Sequence, residues 1–388
     1  MRIGIDARWI FKETSGIGVY TRELIRHLAQ IDRQNQYVLF FRDEDLMRTI
    51  QAEVASFSSG NFATLLLDFG LFSIKNQLVM PAIIKEQNLD VFHSTNYMIP
   101  FFAFPRHHSG RTACLITIHD LIPLIFPEAA PRSRKTRFFP VYRRLMKEMA
   151  WRSDIIITDS NSSRNDIIAR LPCRPERVIV IGLGVNPRFK PIAATNSSLP
   201  VPRFNRREKI ILWVGRQDPY KNLMGLIEAF AMLRGQHQGP LELRLIGPSE
   251  SRYPEPLERI RGLGITNAVK WIGHVSEARI VSEYQNANML VMPSFYEGFG
   301  LPALEAMACG TPVVCSNRGS LPEVCGQAAL PVNPDNISEV CSAMQRVLTD
   351  SQLSSDLISR GFQQAAKFKW QETAKQTVAA YEKVFLLK

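Results

Sequence analysis

Residues 288–315 read NMLVMPSFYEGFGLPALEAMACGTPVVC. The apolar run Asn288–Met292 has the length of a buried strand. A loop with two glycines, Gly298 and Gly300, follows it. Pro302 suits the first turn of a helix, where its missing N–H costs nothing. Gly310 and Pro312 close that helix at about Cys309, and Pro312–Cys315 is apolar again. Strand, loop, short helix and strand make one unit of a parallel sheet. The helix start presents backbone N–H groups and a partial positive charge, and the glycines let a ligand approach the backbone. Glu297 and Glu305 flank this anion site. A carboxylate repels a phosphate, so both acids are better used on hydroxyls, such as those of a sugar and a ribose. The plain alternative is two surface acids steadied by the helix dipole.

The same rhythm runs through the chain. In the first half, strands are expected at Arg2–Asp6, Tyr37–Phe41, Asp90–His93, Ala113–Ile118, Ile155–Thr158 and Val178–Ile181. Helices are expected over Ile17–Gln30, residues 134–151, and from a Ser160 cap to Leu171. Residues 187–208 carry four prolines and an Asn-Ser-Ser run, as a linker does. A second series follows, with strands at Ile210–Val214, Leu241–Ile246, Val269–Ile272, Met289–Met292 and Pro312–Cys315 and a helix over about 222–234. Two open α/β domains facing across a cleft are the expected architecture, with ligands outside the strand carboxyl ends. The expected bounds are 1–195 for the first domain, 196–208 for the linker and 209–365 for the second domain.

Composition sets the outer limits. The chain of 388 residues is 45% hydrophobic and carries a net charge of +11, most of it in the first 190 residues. That half faces something anionic or carries a solvated excess. The six cysteines form no C-x-x-C pair, which favours free thiols in a reducing compartment. No apolar run approaches the roughly 20 residues that span a bilayer. The expected location is cytoplasmic.

Three weaker motifs stand at strand ends. Gly215-Arg216 and Lys221-Asn222 follow an apolar strand, where Arg216 and Lys221 can neutralise a diphosphate. Gly16 and Gly18 sit between the first strand and first helix and can offer N–H groups to a phosphate. His119 ends another strand and can bond a substrate hydroxyl or carry a proton. Each alone is equally a turn, a solvated cation or a structural histidine. Together they place phosphate and hydroxyl chemistry at the carboxyl ends of both sheets.

At this point a family resemblance appears. Ser294-x-x-Glu297-Gly-Phe-Gly-Leu-Pro-x-Leu-Glu305-Ala-Met-Ala-x-Gly310-x-Pro312-Val resembles the E-x7-E signature of retaining glycosyltransferases of family 4, which have the GT-B fold of two Rossmann-like domains. Gly215-Arg216 to Lys221-Asn222 is similar to that family's phosphate-binding turn. Gly273-His274-Val275 lies where the family has a loop near the base, and Ser320-Leu-Pro322-Glu323-Val resembles its downstream segment. Gly16-Ile-Gly18 and Ile118-His119-Asp120-Leu-Ile-Pro123 resemble motifs of bacterial mannosyltransferase-like members. Phe368-x-Trp370 resembles the last-helix segment, so residues 366–388 are expected to cross back to the first domain.

The resemblance implies a nucleotide-diphosphate sugar donor, GDP-mannose or a UDP-sugar. It implies a saccharide or polyprenyl-linked acceptor in surface polysaccharide or lipopolysaccharide synthesis, and neither cofactor nor metal. By the family pattern Glu297 holds the transferred sugar and Glu305 the ribose. The amides of Gly298, Phe299, Gly300 and Leu301 contact sugar and phosphate. Arg216, Lys221, Gly16 and Gly18 stabilise the departing diphosphate, and His119 contacts the sugar.

Three rival readings compete. Asp43-Glu-Asp45 after a strand has the form of a manganese-binding D-x-D, although a charged turn explains it as well. No G-x-G-x-x-G with a downstream acid supports a nicotinamide enzyme. Residues 132–152 carry eight Arg or Lys with Phe138, Phe139, Tyr142 and Trp151 interleaved. A solvated helix face is the preferred reading there, with peripheral contact to anionic lipid at the inner membrane face as a second and no role for nucleic acid.

Overall fold

Runs such as Ile3–Ile5, Val38–Phe41 and Ile155–Ile157 are apolar without alternation and buried along their length. That pattern belongs to parallel strands covered on both faces. The computed structural model describes residues 1–12, 15–54, 60–106, 110–128, 138–192, 208–386 and 388. The chain divides into two compact units, Met1–Leu121 with Phe138–Gly184 and Lys369–Lys388, and Ile122–Arg137 with Val185–Phe368. The chain passes from the first unit to the main part of the second between Gly184 and Val185 and returns at Lys369. Of the linker expected over 196–208, only Glu208 is among the described residues.

The first unit holds β1 (Arg2–Asp6), β2 (Gln36–Phe41), β3 (Phe62–Leu66), β4 (Val91–Ser94), β5 (Ala113–Thr117), β6 (Ile155–Thr158) and β7 (Val178–Val180). They form one parallel sheet in the order β3-β2-β1-β4-β5-β6-β7. The helix expected over 17–30 spans Gly16–Ile31, and Ser160 caps the Asn161–Arg170 helix by accepting from Ser163 N. The helix expected over 134–151 spans Phe139–Arg152, and residues 134–137 lie outside the described ones.

The last helix, Trp370–Phe385, belongs to this unit. Trp370 and Tyr381 are buried in it. Thr373 Oγ1 donates to Gly182 O at 2.7 Å, and Tyr381 Oη lies 2.8 Å from His93 Nδ1. The chain crosses itself so closely at Gly184 that a Cβ there would lie 2.1 Å from Trp370 N. Only glycine allows that approach.

The second unit holds β8 (Lys209–Val214), β9 (Leu241–Ile246), β10 (Val269–Gly273), β11 (Met289–Met292), β12 (Val313–Ser316) and β13 (Ala329–Val332). Its sheet is parallel in the order β10-β9-β8-β11-β12-β13. Trp213, Phe230, Leu243, Val291 and Met344 belong to one buried cluster around it. Both sheets change their direction of growth once, between β1 and β4 and between β8 and β11. Open α/β sheets bind ligands outside the strand carboxyl ends at such switch points.

Candidate functional site

In the second unit the switch point is formed by the segments that leave β8 and β11. Tyr220 O accepts from Phe295 N at 2.8 Å, which ties the two loops together. Lys221 Nζ then lies 2.8 Å from both carboxylate oxygens of Glu297. Ser294 Oγ donates to Glu297 Oε1 at 2.6 Å. Glu297 is 6% exposed, and the side chains of the pair keep only 13% and 7% of their accessible surface. Removing one partner of such a pair leaves a buried, uncompensated charge and costs about 3–5 kcal/mol.

The loop around Glu297 is held from behind. Ser320 Oγ lies 2.9 Å from the carbonyls of both Glu297 and Phe299, and Ser320 N donates to Glu297 O at 3.2 Å. Phe299 is buried and sets its ring edge-on against Phe368 at 5.8 Å. Gly300, at φ +100°, starts the Leu301–Ala308 helix in a conformation that side-chain-bearing residues avoid. The expected strand, glycine loop and short helix are therefore present, with the helix one residue earlier than the expected Pro302–Cys309.

Glu305 lies one turn into that helix and is half-buried. Tyr284 Oη donates to its Oε2 at 2.9 Å. Burial pushes the Glu305 carboxyl up to about 7, and the Tyr284 hydrogen bond and the Arg188 charge only partly offset it. Glu297 and Glu305 are thus chemically unlike: one is ion-paired, the other holds its proton toward neutrality.

Other expected residues lie differently. Arg216 is on the β8 loop but pairs with Asp218 at 3.3 Å and Glu250 at 3.4 Å, with a side chain 56% exposed. Gly273, His274 and Val275 lie at the carboxyl end of β10, an edge strand, with His274 exposed.

In the first unit, Ser15 caps the Gly16–Ile31 helix, and its Oγ accepts from Gly18 N at 3.1 Å. The Gly18 N–H, expected at a phosphate, is engaged by the cap in this structure. Among the described residues, the Gly16 N–H has no hydrogen-bond partner. His119 follows β5, with Nδ1 2.7 Å from Asp159 Oδ2 and Nε2 3.2 Å from Thr95 O. Asp43 is the cap of the Glu44–Glu53 helix, accepting from Leu46 N at 3.1 Å, and Lys12 lies 3.3 and 3.4 Å from Asp43 and Asp45. The D-x-D pattern is therefore a helix start. Among the described residues no group of three or more His, Cys, Asp or Glu side chains is placed to hold a metal.

Ser294, Ser320, Tyr284 and Asp159 were not singled out as site residues from sequence. The first two are part of the quoted motifs, and a hydroxyl three residues before a loop glutamate is the signal available for Ser294. Asp159 and Tyr284 carry no local signal; long-range packing brings them to His119 and Glu305.

Known proteins resemble this chain. Residues 14–189 match the model described as Glycosyltransferase Family 4, and residues 196–364 match Glycosyl transferases group 1. A glycosyltransferase of Methanocaldococcus jannaschii is 32% identical over 331 residues, 81% of each chain. The chain belongs to the family-4-like glycosyltransferases. The O-antigen chain mannosyltransferase B of Escherichia coli is 28% identical over 95% of this chain and 96% of that protein. The sucrose-phosphate synthase structure from Thermosynechococcus elongatus superposes with a TM-score of 0.78 at 22% identity, covering 100% of both chains. The fold of this glycosyltransferase is thus GT-B, two parallel-sheet Rossmann-like domains.

The raised Glu305 pKa predicts a signature in stability. The unfolded chain ionises this group near its ordinary 4.5, whereas the fold resists until about 7. Stability attributable to Glu305 therefore falls as pH rises through that window and is flat above it. Thermal melts of Glu305→Gln against the parent should diverge in the variant's favour between those pH values. Parallel melting curves would contradict the assignment.

Proposed function

We propose that this glycosyltransferase moves mannose from GDP-mannose, with retention of anomeric configuration, to a saccharide or polyprenyl-linked saccharide acceptor of a surface polysaccharide. A UDP-linked hexose is the alternative donor. The observation that carries the reading is the Lys221–Glu297 pair at the β8–β11 switch point. The similarity to an O-antigen mannosyltransferase supports the sugar and the product class.

Cleavage of the sugar–phosphate bond builds negative charge on the diphosphate and positive charge on the sugar ring. Lys221, with Arg216, is assigned to the diphosphate, and the helix start at Gly298–Leu301 to sugar and phosphate oxygens. Preorganised charges in a partly buried site are worth more there than in water. Glu297 is assigned to hydroxyls of the transferred sugar, Glu305 to those of the ribose, and Gly273–Val275 to the base. In the first unit, Gly16 is assigned an amide contact to the diphosphate and His119 a place at the sugar. The leaving phosphate takes the acceptor's proton, so neither a metal nor a covalent carboxylate intermediate enters the scheme.

Without donor, Lys221 and Glu297 satisfy each other. A donor offers each a better partner, diphosphate for the ammonium and hydroxyls for the carboxylate. Glu297→Gln and Glu297→Ala are therefore expected to lower kcat by about 10²–10³-fold, the scale for one preorganised electrostatic group. Circular dichroism should show the fold retained. Near-parental turnover in both variants would refute the role.

For the lipid side of the acceptor we propose peripheral membrane contact through the first unit. No helix among the described residues is long and apolar enough to cross a membrane. Phe72, Ile74, Leu78, Phe102 and Val141 are nevertheless 58, 78, 62, 69 and 65% exposed, and Arg143, Arg144 and Lys147 are exposed beside Val141. Apolar side chains with flanking cations suit an anionic lipid surface. Of the basic run noted in sequence, Arg132, Arg134, Lys135 and Arg137 lie outside the described residues, and Arg152 is engaged with Glu148, Phe101 O and Phe104 O. In flotation assays the protein should bind vesicles containing phosphatidylglycerol, and Ile74→Asp with Leu78→Asp should release it. Absence of binding at low salt would overturn this part.

A further inference from the structure

The first unit contains a buried charge pair, His119 with Asp159, whose acid the donor assignment leaves unused. Asp159, after β6, is 3% exposed. Its Oδ2 meets His119 Nδ1 at 2.7 Å, and among the described residues its Oδ1 has no hydrogen-bond partner. A carboxylate taken out of water needs a counter-charge. On the far side of the ring, Nε2 lies 3.2 Å from the carbonyl of Thr95. Carbonyls only accept, so that nitrogen carries a proton. A proton also lies between Nδ1 and Asp159, and imidazole, with a pKa of about 6.5 against about 3.9 for aspartate, is its better holder. Both ring nitrogens are therefore N–H donors.

We propose that His119 is a standing imidazolium, oriented by Asp159, and that it acts on the donor as a fixed positive charge, not as a proton carrier. The second half rests on the donor reading above; the first does not. Asp159 is then a positioning residue.

The neighbours agree. Tyr20, on the Gly16–Ile31 helix, sets its ring edge-on to His119 at 4.8 Å and is kept protonated by burial. His93, on β4, is held down to about 3 by burial and by the charge of His119, so the second histidine stays neutral. It is tied into the same layer through Thr117 Oγ1 at 2.9 Å and Tyr381 Oη at 2.8 Å. Asp120, next in the chain, adds negative charge on the His119 side. Burial alone would lower the His119 pKa, but Asp159, with Asp120 and the Thr95 carbonyl, reverses this and raises it. Thr95 is itself fixed, because its hydroxyl receives the Thr21 hydroxyl at 2.8 Å and donates to Asp6 O at 3.2 Å.

The test has three readouts. Ring ¹⁵N NMR follows His119 through pH in the full-length protein, without donor. The parent should keep both nitrogens protonated above pH 6.5, the ordinary histidine value. Asp159→Asn should lower the His119 pKa by about 1–3 units, the effect of one close opposite charge. In a stability cycle, Asp159→Asn should lower the melting temperature in the parent. In the His119→Gln background it should raise it, because it removes a buried charge that has lost its partner. A His119 that titrates at its ordinary value, or is unmoved by Asp159→Asn, would overturn the imidazolium. The pH profile of kcat reports the second half. Activity should fall on the alkaline side with the His119 pKa, and that limb should move to lower pH in Asp159→Asn. An unmoved limb, or activity that rises as His119 deprotonates, would overturn the fixed-charge role while leaving the NMR result standing.

Discussion

The ion pair between Lys221 and Glu297 is the contact on which the rest of the second unit depends. Two charges with little access to water are held together only if the backbone on both sides is fixed. Adjacent strands β8 and β11 supply that backbone. The Phe295–Tyr220 hydrogen bond sets the spacing, Ser294 takes up a carboxylate lone pair, and Ser320 grips the loop carbonyls. Gly300 turns the chain so that a helix start follows the carboxylate directly. Phosphate-attracting and hydroxyl-binding groups thus arise from one strand–loop–helix unit.

The first unit repeats the principle with different chemistry. It too places a buried carboxylate and its partner at the carboxyl ends of adjacent strands, Asp159 after β6 and His119 after β5. The closing helix packs behind them through Trp370 and Tyr381. Tyr381 against His93 makes the core of the first unit depend on a residue 288 positions away in sequence.

Much of this was legible in the sequence because parallel strands bury both faces and are written as uninterrupted apolar runs. β1, β6, β9 and β11 were bounded to the residue. β3 was missed because it is an edge strand with only Phe62 buried, so its pattern is mixed. β13 was missed because Pro331 interrupts it, which an edge position tolerates. At the site, the glycine loop and both glutamates were legible, as their spacing is local. What was not legible is which charge finds which. Lys221 was expected at the diphosphate and is found on Glu297, and Arg216 is found on Asp218 and Glu250. Partner choice depends on distances between loops far apart in sequence. For the same reason the raised pKa of Glu305 was not foreseen, since it follows from burial beside Tyr284.

The central claim is that Lys221 and Glu297 hold each other's place until a donor arrives. A crystal structure with a bound nucleotide-diphosphate hexose tests it most directly. The account predicts the diphosphate on Lys221, a sugar hydroxyl on Glu297, and at least one of the two 2.8 Å contacts between the pair lost. A donor bound with that pair intact and touching neither side chain would contradict it.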